Sequence, residues 1–509
     1  MSPSIAWISG AALPADRPST LGELFSRCVA RLGSTTVLVD GELGLSWQDL
    51  DLWSGRIAAA LADRVAPGER IAILAPNGAA HLLVELAAWR LAAVAAPIFT
   101  GFGQQRLRAL VAELDPRVVV VADPAHAACA PPGAEIISTA RVLEWARSSV
   151  RGIDRPASAR TPCLIQFTSG STGAPRGVVL CHDNLASQQA AFAQLWPEIG
   201  AGDRLASYLP WHHSFGALAE RLWALCRGAT ITVVPGGGRD RQRFVDTVRA
   251  VRPTVFMSVP KMHAVALGEH ALDARALRWA FTAGAPLPEE LFAAYQRLGA
   301  PVYEGWGLTE TSPSATITPP GSRHHPGVVG VPIPGVEVGV EADTGRILVR
   351  GPNVMLGYHR REAPTLVDGG LDSGDLGRWS DHGLVLTGRA DQVLKLGNGE
   401  KVAAAEIEAA LLAHPSVHHA VVAADGELIA LLDAHAGHRM SALADAVRAA
   451  NAAEPVPYRR IARAYALSRP CTIENGQLTA SMKVARGAVL SMWSRWTSEG
   501  GAEVVAIAL

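Results

Sequence analysis

The sequence contains few cysteines and has no excess of either charge. Its six cysteines include no Cys-x-x-Cys pair, which argues against a disulfide framework or zinc knuckle and fits a reducing, cytoplasmic environment. Lysine and arginine total 46 against 47 for aspartate and glutamate, so the protein has no overall electrostatic attraction for nucleic acid or an anionic membrane. Any site for an anion must therefore be local.

Long uninterrupted apolar runs are also missing. Residues 1–7 lack a basic segment followed by an apolar stretch, so no secretory signal is predicted. The most apolar region, residues 79–99, is interrupted by His81, Glu85 and Arg90, whereas a spanning helix needs about 20 nearly uncharged residues. We therefore expect a buried helix followed by a strand there, and no transmembrane segment.

The length and the pattern of the chain predict an α/β protein of at least two domains. A chain of 509 residues exceeds the size that one hydrophobic core usually serves. Between residues 35 and 305, short β-branched runs alternate with helical patterns, which predicts two mostly parallel sheets covered by helices. Over residues 312–386, short strands are separated by Gly and Pro residues. This pattern predicts a small barrel-like subdomain, an antiparallel barrel or sheet.

Helical and strand patterns resume after residue 388. We therefore predict a large N-terminal domain over residues 1–388 and a smaller α+β domain over residues 389–509. The composition places the boundary at about residues 389–391.

The most informative motif is a run of small residues that follows a predicted strand. Cys163-Leu-Ile-Gln-Phe leads into six consecutive Gly, Ser or Thr residues and then into Ala174-Pro-Arg-Gly. Glycines and small hydroxyl residues let backbone N–H groups approach an anion, and Arg176 adds a full charge. The segment therefore predicts a binding loop for phosphate oxygens.

Other motifs with glycine and serine do not fit this loop. Pro175 stands five places after Gly170, where a Walker loop needs glycine, and no Lys-Ser/Thr pair follows. Ser169 stands two places before Ser171, where a nucleophile elbow needs glycine. A flexible Ser/Gly turn is the remaining alternative, and the flanking strand and the exit Pro-Arg-Gly make it the weaker one.

Further motifs follow the loop in order along the chain. They are Leu209-Pro-Trp-His-His-Ser-Phe-Gly, Ala283-Gly-Ala-Pro, Tyr303-Glu-Gly-Trp-Gly-Leu-Thr-Glu-Thr, Ser373-Gly-Asp-Leu-Gly, Gly388-Arg-Ala-Asp and Glu474-Asn-Gly-Gln-Leu-Thr-Ala-Ser-Met-Lys. Together with the loop they resemble the adenylate-forming superfamily of acyl-CoA synthetases, beetle luciferases and nonribosomal-peptide adenylation domains. Within this superfamily, the sequences of these motifs are most similar to those of fatty acyl-CoA synthetases.

The resemblance implies roles for the ATP site. The residues that would bind the phosphates are Thr168, Ser169, Gly170, Ser171, Thr172, Gly173 and Arg176, and Thr309 would be a further partner. The adenine would contact the aromatic Trp306 and the backbone around it, namely Gly284, Ala285, Pro286, Glu304, Gly305 and Gly307. Asp375 and Arg389 would bind the ribose, and Glu310 would hold Mg²⁺.

The resemblance also implies roles for the acyl group, the thiol and the catalytic step. The acyl pocket would include His213, Phe215, Ala283 and Gly284, and the pantetheine tunnel would include Lys395, Gly397 and Gly399. The resemblance also implies that the C-terminal domain is mobile and turns about a hinge at Asp391. The catalytic residues would be Lys483, Arg176, Glu310, His213 and Thr309.

The reaction that this resemblance implies is the activation of a carboxylic acid by ATP and Mg²⁺ through an acyl-adenylate. Transfer to the thiol of coenzyme A, or to the phosphopantetheine of a carrier protein, would follow. We expect a medium- or long-chain or bulky hydrophobic acid as substrate, and a homodimer is left open. The alternatives are an enzyme that stops at the acyl-adenylate, a β-lactone synthetase, a luciferase-like oxidoreductase and a non-catalytic adenylate-binding protein.

Two positions depart from the usual pattern of this superfamily. Arg176 stands where the loop commonly has lysine, which keeps the charge but replaces a compact ammonium by a planar fork. Arg346 follows Gly345 where glutamate is more usual, and we interpret this change as benign.

Overall fold

Strands and helices alternate through most of the chain. The computed structural model describes residues 4–168, 176–322, 325, 327–362, 366–435, 440–479, 483–500 and 503–509. Within these residues the strands are β1 (Ile5–Ser9), β2 (Thr36–Asp40), β3 (Leu43–Ser46), β4 (Arg70–Leu74), β5 (Val94–Pro97), β6 (Val118–Val121), β7 (Glu135–Ser138), β8 (Pro162–Thr168), β9 (Arg176–Cys181), β10 (Arg204–Ser207), β11 (Thr230–Val233), β12 (Val255–Ser258), β13 (Trp279–Ala283), β14 (Val302–Trp306), β15 (Thr316–Ile317), β16 (Val331–Pro332), β17 (Glu337–Glu341), β18 (Arg346–Arg350), β19 (Gly357–Tyr358), β20 (Leu366–Val367), β21 (Gly370–Ser380), β22 (Gly383–Arg389), β23 (Val393–Lys395), β24 (Lys401–Ala403), β25 (Val417–Asp425), β26 (Glu427–Ala434), β27 (Ile461–Leu467) and β28 (Val504–Ile507).

Side chains that accept from free backbone N–H groups precede the helices that begin at Leu21, Trp47, Thr139 and Arg241. Thr20 accepts from the backbone N–H of Glu23, and Ser46 and Asp49 form a reciprocal capping box. The α-helices are α1 (Leu21–Leu32), α2 (Trp47–Leu61), α3 (Ala79–Arg90), α4 (Gln104–Leu114), α5 (Thr139–Ala146), α6 (His182–Leu195), α7 (Leu222–Arg227), α8 (Arg241–Val251), α9 (Pro260–Gly268), α10 (Glu289–Leu298), α11 (Ala404–Leu412), α12 (Met440–Ala453) and α13 (Arg486–Glu499). A π-helical segment, Phe215–Arg221, precedes α7.

The first sheet has the order β19-β9-β8-β5-β4-β6-β7. Its strands from β8 to β7 pair in parallel, and β9 and β19 add an antiparallel edge. All four valines of β6 are buried, as expected for a strand covered by helices on both faces. Helix α3 and strand β5 confirm the predicted buried helix and strand, because α3 is buried on almost every side.

The second layer contains the sheets β10-β11-β2-β3 and β12-β13-β14-β15-β16. Their edge strands lie next to each other, since the backbone N–H of Arg204 donates to Thr254 Oγ1 at 2.9 Å and the N–H of Thr254 donates to the Arg204 carbonyl at 3.0 Å. Buried tryptophans pack behind them, with Trp196 stacked on Trp279 at 4.7 Å between ring centroids. The predicted α/β fold with mostly parallel sheets is confirmed.

The β-rich subdomain is an open sheet. Its order is β1-β17-β18-β21-β20, with β22 on β21, and all of its pairs are antiparallel. The barrel-like shape predicted for residues 312–386 needs correction, because the described strands β1 and β20 form its two ends and do not pair with each other. The sequence pattern also missed β1, which comes from the N-terminus and adds an edge strand.

The C-terminal residues pack around their own cores. Strands β25, β26, β27 and β28 form one sheet, and β23 pairs with β24. Two clusters of buried side chains lie between Leu396 and Ile507, and within the described part of the chain neither includes a buried residue that precedes Leu396. The domain boundary at residue 389 stays a prediction. Among the described residues, no helix combines the length and apolarity needed to cross a membrane.

A buried ion pair joins the first sheet layer to the second. Glu85 on α3 accepts from Arg221 Nη1 at 2.8 Å and from Nη2 at 2.5 Å, and both side chains are almost inaccessible. The guanidinium carbon of Arg221 lies 4.8 Å from the ring centroid of Trp211. Such a bidentate, desolvated pair tolerates the loss of both partners better than the loss of one.

We expect Arg221→Met to destabilise the protein by about 3–5 kcal/mol, because it leaves the Glu85 carboxylate buried without its counter-charge. The double variant Glu85→Leu/Arg221→Met should recover most of that loss. Urea unfolding followed by tryptophan fluorescence measures both. Arg141→Ala, which removes an exposed pair with Glu144, is the control and should change stability by less than about 1 kcal/mol. A double variant no more stable than Arg221→Met contradicts the argument.

Candidate active site

A cavity of about 1670 Å³ opens between the large N-terminal part of the chain and the C-terminal residues. Motifs that are far apart in the sequence meet here, at the ends of β8, β13 and β14 and on the loops that follow them. Of the residues predicted from the sequence, the structure brings to its wall Thr168, Arg176, His213, Gly284, Gly307, Thr309, Glu310, Arg389, Asp391 and Lys483.

Other predicted residues lie behind this wall or away from it. Phe215, Ala283, Ala285, Pro286, Glu304, Gly305, Trp306 and Asp375 do not line the cavity, and Lys395, Gly397 and Gly399 lie on β23 and the turn that follows it, also outside the cavity. Ser169, Gly170, Ser171, Thr172 and Gly173 lie outside the described residues.

The two ends of the predicted phosphate loop are held together by the sheet. Thr168 ends β8 and Arg176 begins β9, and the two residues pair directly across the antiparallel ladder. Thr168 Oγ1 donates to the Arg176 carbonyl at 3.4 Å. The guanidinium carbon of Arg176 lies 5.5 Å from the ring centroid of Tyr358. Both loop ends, and with them the charge of Arg176, are therefore fixed at the cavity wall.

The segment around His213 is fixed to its surroundings by hydrogen bonds. Asn77 donates to the Leu209 carbonyl at 2.8 Å and accepts from the Trp211 backbone N–H at 2.9 Å. His213 follows Trp211 closely, and burial together with the charge of Lys483 lowers its pKa to about 4. His213 is therefore neutral at neutral pH.

Two hydroxyl groups meet next to this histidine. Thr309 Oγ1 donates to Ser214 Oγ at 3.1 Å, which joins the histidine segment to the loop after β14. Ser214 also lines the cavity, although the sequence predicted no role for it. The pair presents hydroxyl groups at a wall where Thr309 is expected to contact phosphate.

Tyr358 orients the carboxylate of Glu310. The Tyr358 hydroxyl donates to Glu310 Oε1 at 2.9 Å, which leaves the second carboxylate oxygen for another partner. Burial, reinforced by the nearby Glu310 charge, raises the pKa of Tyr358 to about 12, so the hydroxyl keeps its proton. Sequence reasoning missed Tyr358, since only its place beside β9, far from Glu310 in the chain, brings it here.

Asp375 is held by two donors from different motifs. Trp306 Nε1 donates to Asp375 Oδ2 at 2.8 Å, and Arg389 Nη1 donates to Asp375 Oδ1 at 2.8 Å. Burial raises the pKa of Asp375, while Arg389 and Trp306 act in the opposite direction. The tryptophan between the two glycines is thus anchored through its indole N–H, and the carboxylate has a fixed orientation.

The glycines on either side of Trp306 are required by protein packing. A Cβ at Gly307 would lie 2.1 Å from the Pro313 carbonyl oxygen, and one at Gly305 would lie 2.6 Å from the Phe281 ring. Both positions are therefore restricted to glycine even before a ligand is considered. The packing fixes the ring of Trp306 at the end of β14.

Lys483 reaches from the C-terminal residues into the cavity. Its Nζ donates to the Gly284 carbonyl at 2.6 Å, and Gly284 adopts a positive φ of 82°. The loss of surrounding water lowers the pKa of Lys483, with Asp375 opposing and Arg389 adding to that effect. Through this contact, the C-terminal motif that ends at Lys483 lies beside the motif that contains Gly284.

Cationic side chains outnumber carboxylates around the cavity. A cleft lined mainly by one sign of charge attracts ligands of the opposite sign, here anions such as a triphosphate. Arg346, interpreted from the sequence as a benign change, is one of these cations and pairs with Asp372 at 2.7 Å. The cations on the wall are Arg106, Arg176, Arg346, Arg360, Arg361, Arg389, Lys483 and Arg486.

One part of the cavity is mainly apolar and aromatic. Phe99 meets Phe102 edge to face at 5.0 Å and lies 4.8 Å from His212. Gln166 on β8 is almost completely buried at this wall, and neither its amide oxygen nor its amide nitrogen has a hydrogen-bond partner among the described residues. A buried amide without partners is unusual and favours a polar group in whatever fills this space.

Comparisons with known proteins agree with this arrangement. A family model described as "AMP-binding enzyme" matches residues 25–359. The chain is 30% identical over 414 residues to indoleacetate–CoA ligase of Aromatoleum aromaticum, which covers 75% of this chain and 80% of that protein. It is 28% identical over 391 residues to oxalate–CoA ligase of Arabidopsis thaliana, covering 70% of this chain and 76% of that protein.

Solved structures show the same fold. o-Succinylbenzoate coenzyme A synthetase from Bacillus subtilis, in complex with AMP, superposes with a TM-score of 0.78 at 24% identity, covering 91% of this chain and 97% of that one. The same enzyme has been solved with ATP and magnesium ion, with a TM-score of 0.77. Because the family model covers more than half of the 509 residues, the protein belongs to the AMP-binding enzymes of the adenylate-forming superfamily.

Proposed function

We propose that this protein is an AMP-forming acid–thiol ligase that activates a carboxylic acid with ATP and transfers the acyl group to coenzyme A. The observation that carries the proposal is the position of Lys483, whose Nζ lies 2.6 Å from the Gly284 carbonyl in the same cavity as Arg176, Thr309 and Glu310. This cavity also carries the excess of cations that a triphosphate needs.

In the first step a carboxylate oxygen of the acid attacks the α-phosphorus of ATP. The bond between that phosphorus and the bridging oxygen breaks, and pyrophosphate leaves. Two anions must approach each other, so the main task of the site is to stabilise negative charge. Lys483 would neutralise charge between the carboxylate and the α-phosphate, and Arg176 and Thr309 would bind the departing phosphates.

The site fits a magnesium ion through Glu310. Mg²⁺ prefers carboxylate and phosphate oxygens, and Tyr358 occupies one oxygen of Glu310 while the other is left for the ion. When bound, Mg²⁺ supplies neutralising charge on the phosphate oxygens. Tyr358 positions the carboxylate of Glu310. Because the pKa of Tyr358 is raised, its hydroxyl keeps its proton and does not compete with Glu310 for the ion as a phenolate.

In the second step the thiol attacks the acyl carbon, and AMP leaves with the bonding electrons. Lys483 occupies the cavity in the arrangement seen here, whereas Lys395, Gly397 and Gly399 lie outside it. A rotation of the C-terminal residues about Asp391 would withdraw Lys483 and bring β23 to the cavity. Asp391 accepts from Arg389 Nε at 3.2 Å, so the rotation would affect an ion pair beside the expected ribose site.

The substrate that we propose is a bulky hydrophobic acid, of medium or long chain or aromatic. Phe99 and Phe102 supply the apolar wall for such a group. The unpartnered amide of Gln166 would bind one polar substituent on it. We also propose a cytoplasmic location, since all six cysteines are free and five are buried, which fits a reducing compartment.

The overall reaction is tested with the purified protein, ATP, Mg²⁺ and a panel of acids, with and without CoA. We expect pyrophosphate, AMP and an acyl-CoA product with a hydrophobic acid. Absence of pyrophosphate with every acid would reject adenylation. Pyrophosphate without a CoA-dependent thioester would favour an enzyme that stops at the acyl-adenylate or serves a carrier protein.

Lys483→Ala should reduce acyl-adenylate formation by about 100-fold or more, since it removes a charge that acts where negative charge develops. Thioester formation from supplied acyl-adenylate should be largely preserved. Lys395→Ala is the matched control, because this lysine lies outside the cavity, and it should leave adenylation unchanged. Equal loss of both half-reactions in Lys483→Ala would contradict the role given to this residue.

Tyr358→Phe should weaken the response to Mg²⁺ by about 10-fold, because the hydroxyl that orients Glu310 is lost while the ring beside Arg176 stays. The measurement is the Mg²⁺ concentration that gives half-maximal pyrophosphate release. Tyr458→Phe changes an exposed tyrosine and serves as the control. An unchanged Mg²⁺ response in Tyr358→Phe would show that Glu310 does not need this partner.

A further inference from the structure

Two histidines and an aspartate come together on the C-terminal sheet, away from the catalytic cavity. His419 Nδ1 lies 2.9 Å from Asp433 Oδ2, and His418 Nδ1 lies 3.7 Å from the same oxygen. One potential ligand atom from each of the three residues lies within 4.8 Å of the others. None of the three lines the cavity that holds Lys483.

A β-bulge gives this cluster its geometry. Val417 pairs with Ala434 and His419 pairs with Asp433, so His418 is an extra residue in β25. In a regular strand, adjacent side chains point to opposite faces. The bulge instead lets both imidazoles approach Asp433, and their ring centroids are 4.0 Å apart.

Asp433 is fixed before any ligand arrives. The residue is only 2% exposed, and its Oδ2 accepts from the Cys471 backbone N–H at 3.1 Å. The side chain is therefore held in one orientation, and a backbone donor of this kind commonly supports a ligating carboxylate.

The distances from the two imidazoles to Asp433 are compatible with a small metal ion, which would replace the hydrogen bond between His419 and Asp433. Bonds of about 2.0–2.1 Å in a tetrahedral zinc site imply about 3.3 Å between ligand atoms. The two measured separations, 2.9 and 3.7 Å, lie on either side of that value. The His418 side chain is 39% exposed, so an ion can reach the site from solvent.

We propose that His418, His419 and Asp433 bind a divalent transition-metal ion of the zinc class. Two imidazole nitrogens and one carboxylate oxygen supply three ligands, and this donor set favours zinc over magnesium or calcium. The ring centroid of His435 lies 4.5 Å from that of His418, so His435 borders the site. The ion would bridge β25 and β26, and solvent would supply its fourth ligand.

The test uses the full-length protein after treatment with a chelator and its removal. Titration with Co²⁺, followed by its visible absorption, and calorimetry with Zn²⁺ report geometry and affinity. We expect one tetrahedral ion per chain at this site. His418→Gln and Asp433→Asn should each weaken Zn²⁺ binding by at least about 10-fold, since a ligand matters at least as much as an outer partner.

A control variant distinguishes zinc binding at this site from zinc binding to other histidines of the protein. His325 and His382 stack at 3.6 Å between ring centroids elsewhere on the molecule, and His382→Ala should leave Zn²⁺ affinity unchanged. His418→Gln changes a partly exposed side chain, so circular dichroism should show an intact fold even where Asp433→Asn fails to fold. Absence of a tetrahedral cobalt spectrum, or equal zinc affinity in the wild-type protein and His418→Gln, would overturn the proposal.

Discussion

The buried ion pair between Glu85 and Arg221 links the segment that follows His213 to helix α3 of the first sheet. Glu85 belongs to α3 of the first sheet layer, and Arg221 ends the π-helical segment that begins two residues after His213. The same guanidinium packs on Trp211, whose backbone is held by Asn77. Because these contacts are buried and bidentate, they hold the segment on either side of His213 against α3 at the wall of the cavity.

The site itself is complete only when the C-terminal residues lie against the large part of the chain. Lys483 comes from a region with its own hydrophobic cores, and it contacts Gly284 through a single strong hydrogen bond. A polar contact of this kind can be exchanged at low cost, whereas a shared apolar core could not. This division suits the proposed two-step reaction, in which Lys483 would act in adenylation and would have to withdraw before a thiol could reach the acyl carbon.

The sequence was most informative where a local pattern decides the structure. The valines of β6 and the strand before the phosphate loop have a strong pattern of their own, and the motifs predicted which distant segments meet at the cavity. Contacts that involve a segment outside these motifs could not be predicted in this way. Tyr358 reaches Glu310 only through the edge pairing of β19 with β9, and β1 joins the antiparallel sheet from the other end of the chain. The open order of that sheet is likewise a property of strand pairing, which composition does not determine.

Two of the three His-His pairs of the chain, His212-His213 and His418-His419, show why residue type alone does not identify a site. Both pairs look alike in the sequence, yet burial and neighbouring cations lower the pKa of His212 to about 3 and that of His213 to about 4. These two rings are therefore neutral, and His212 packs against Phe99. At the second pair, a bulge turns both rings toward the buried carboxylate of Asp433. A carboxylate beside two imidazoles attracts a cation, whereas the wall that contains Lys483 and Arg176 attracts anions, so opposite ligands are expected at the two pairs.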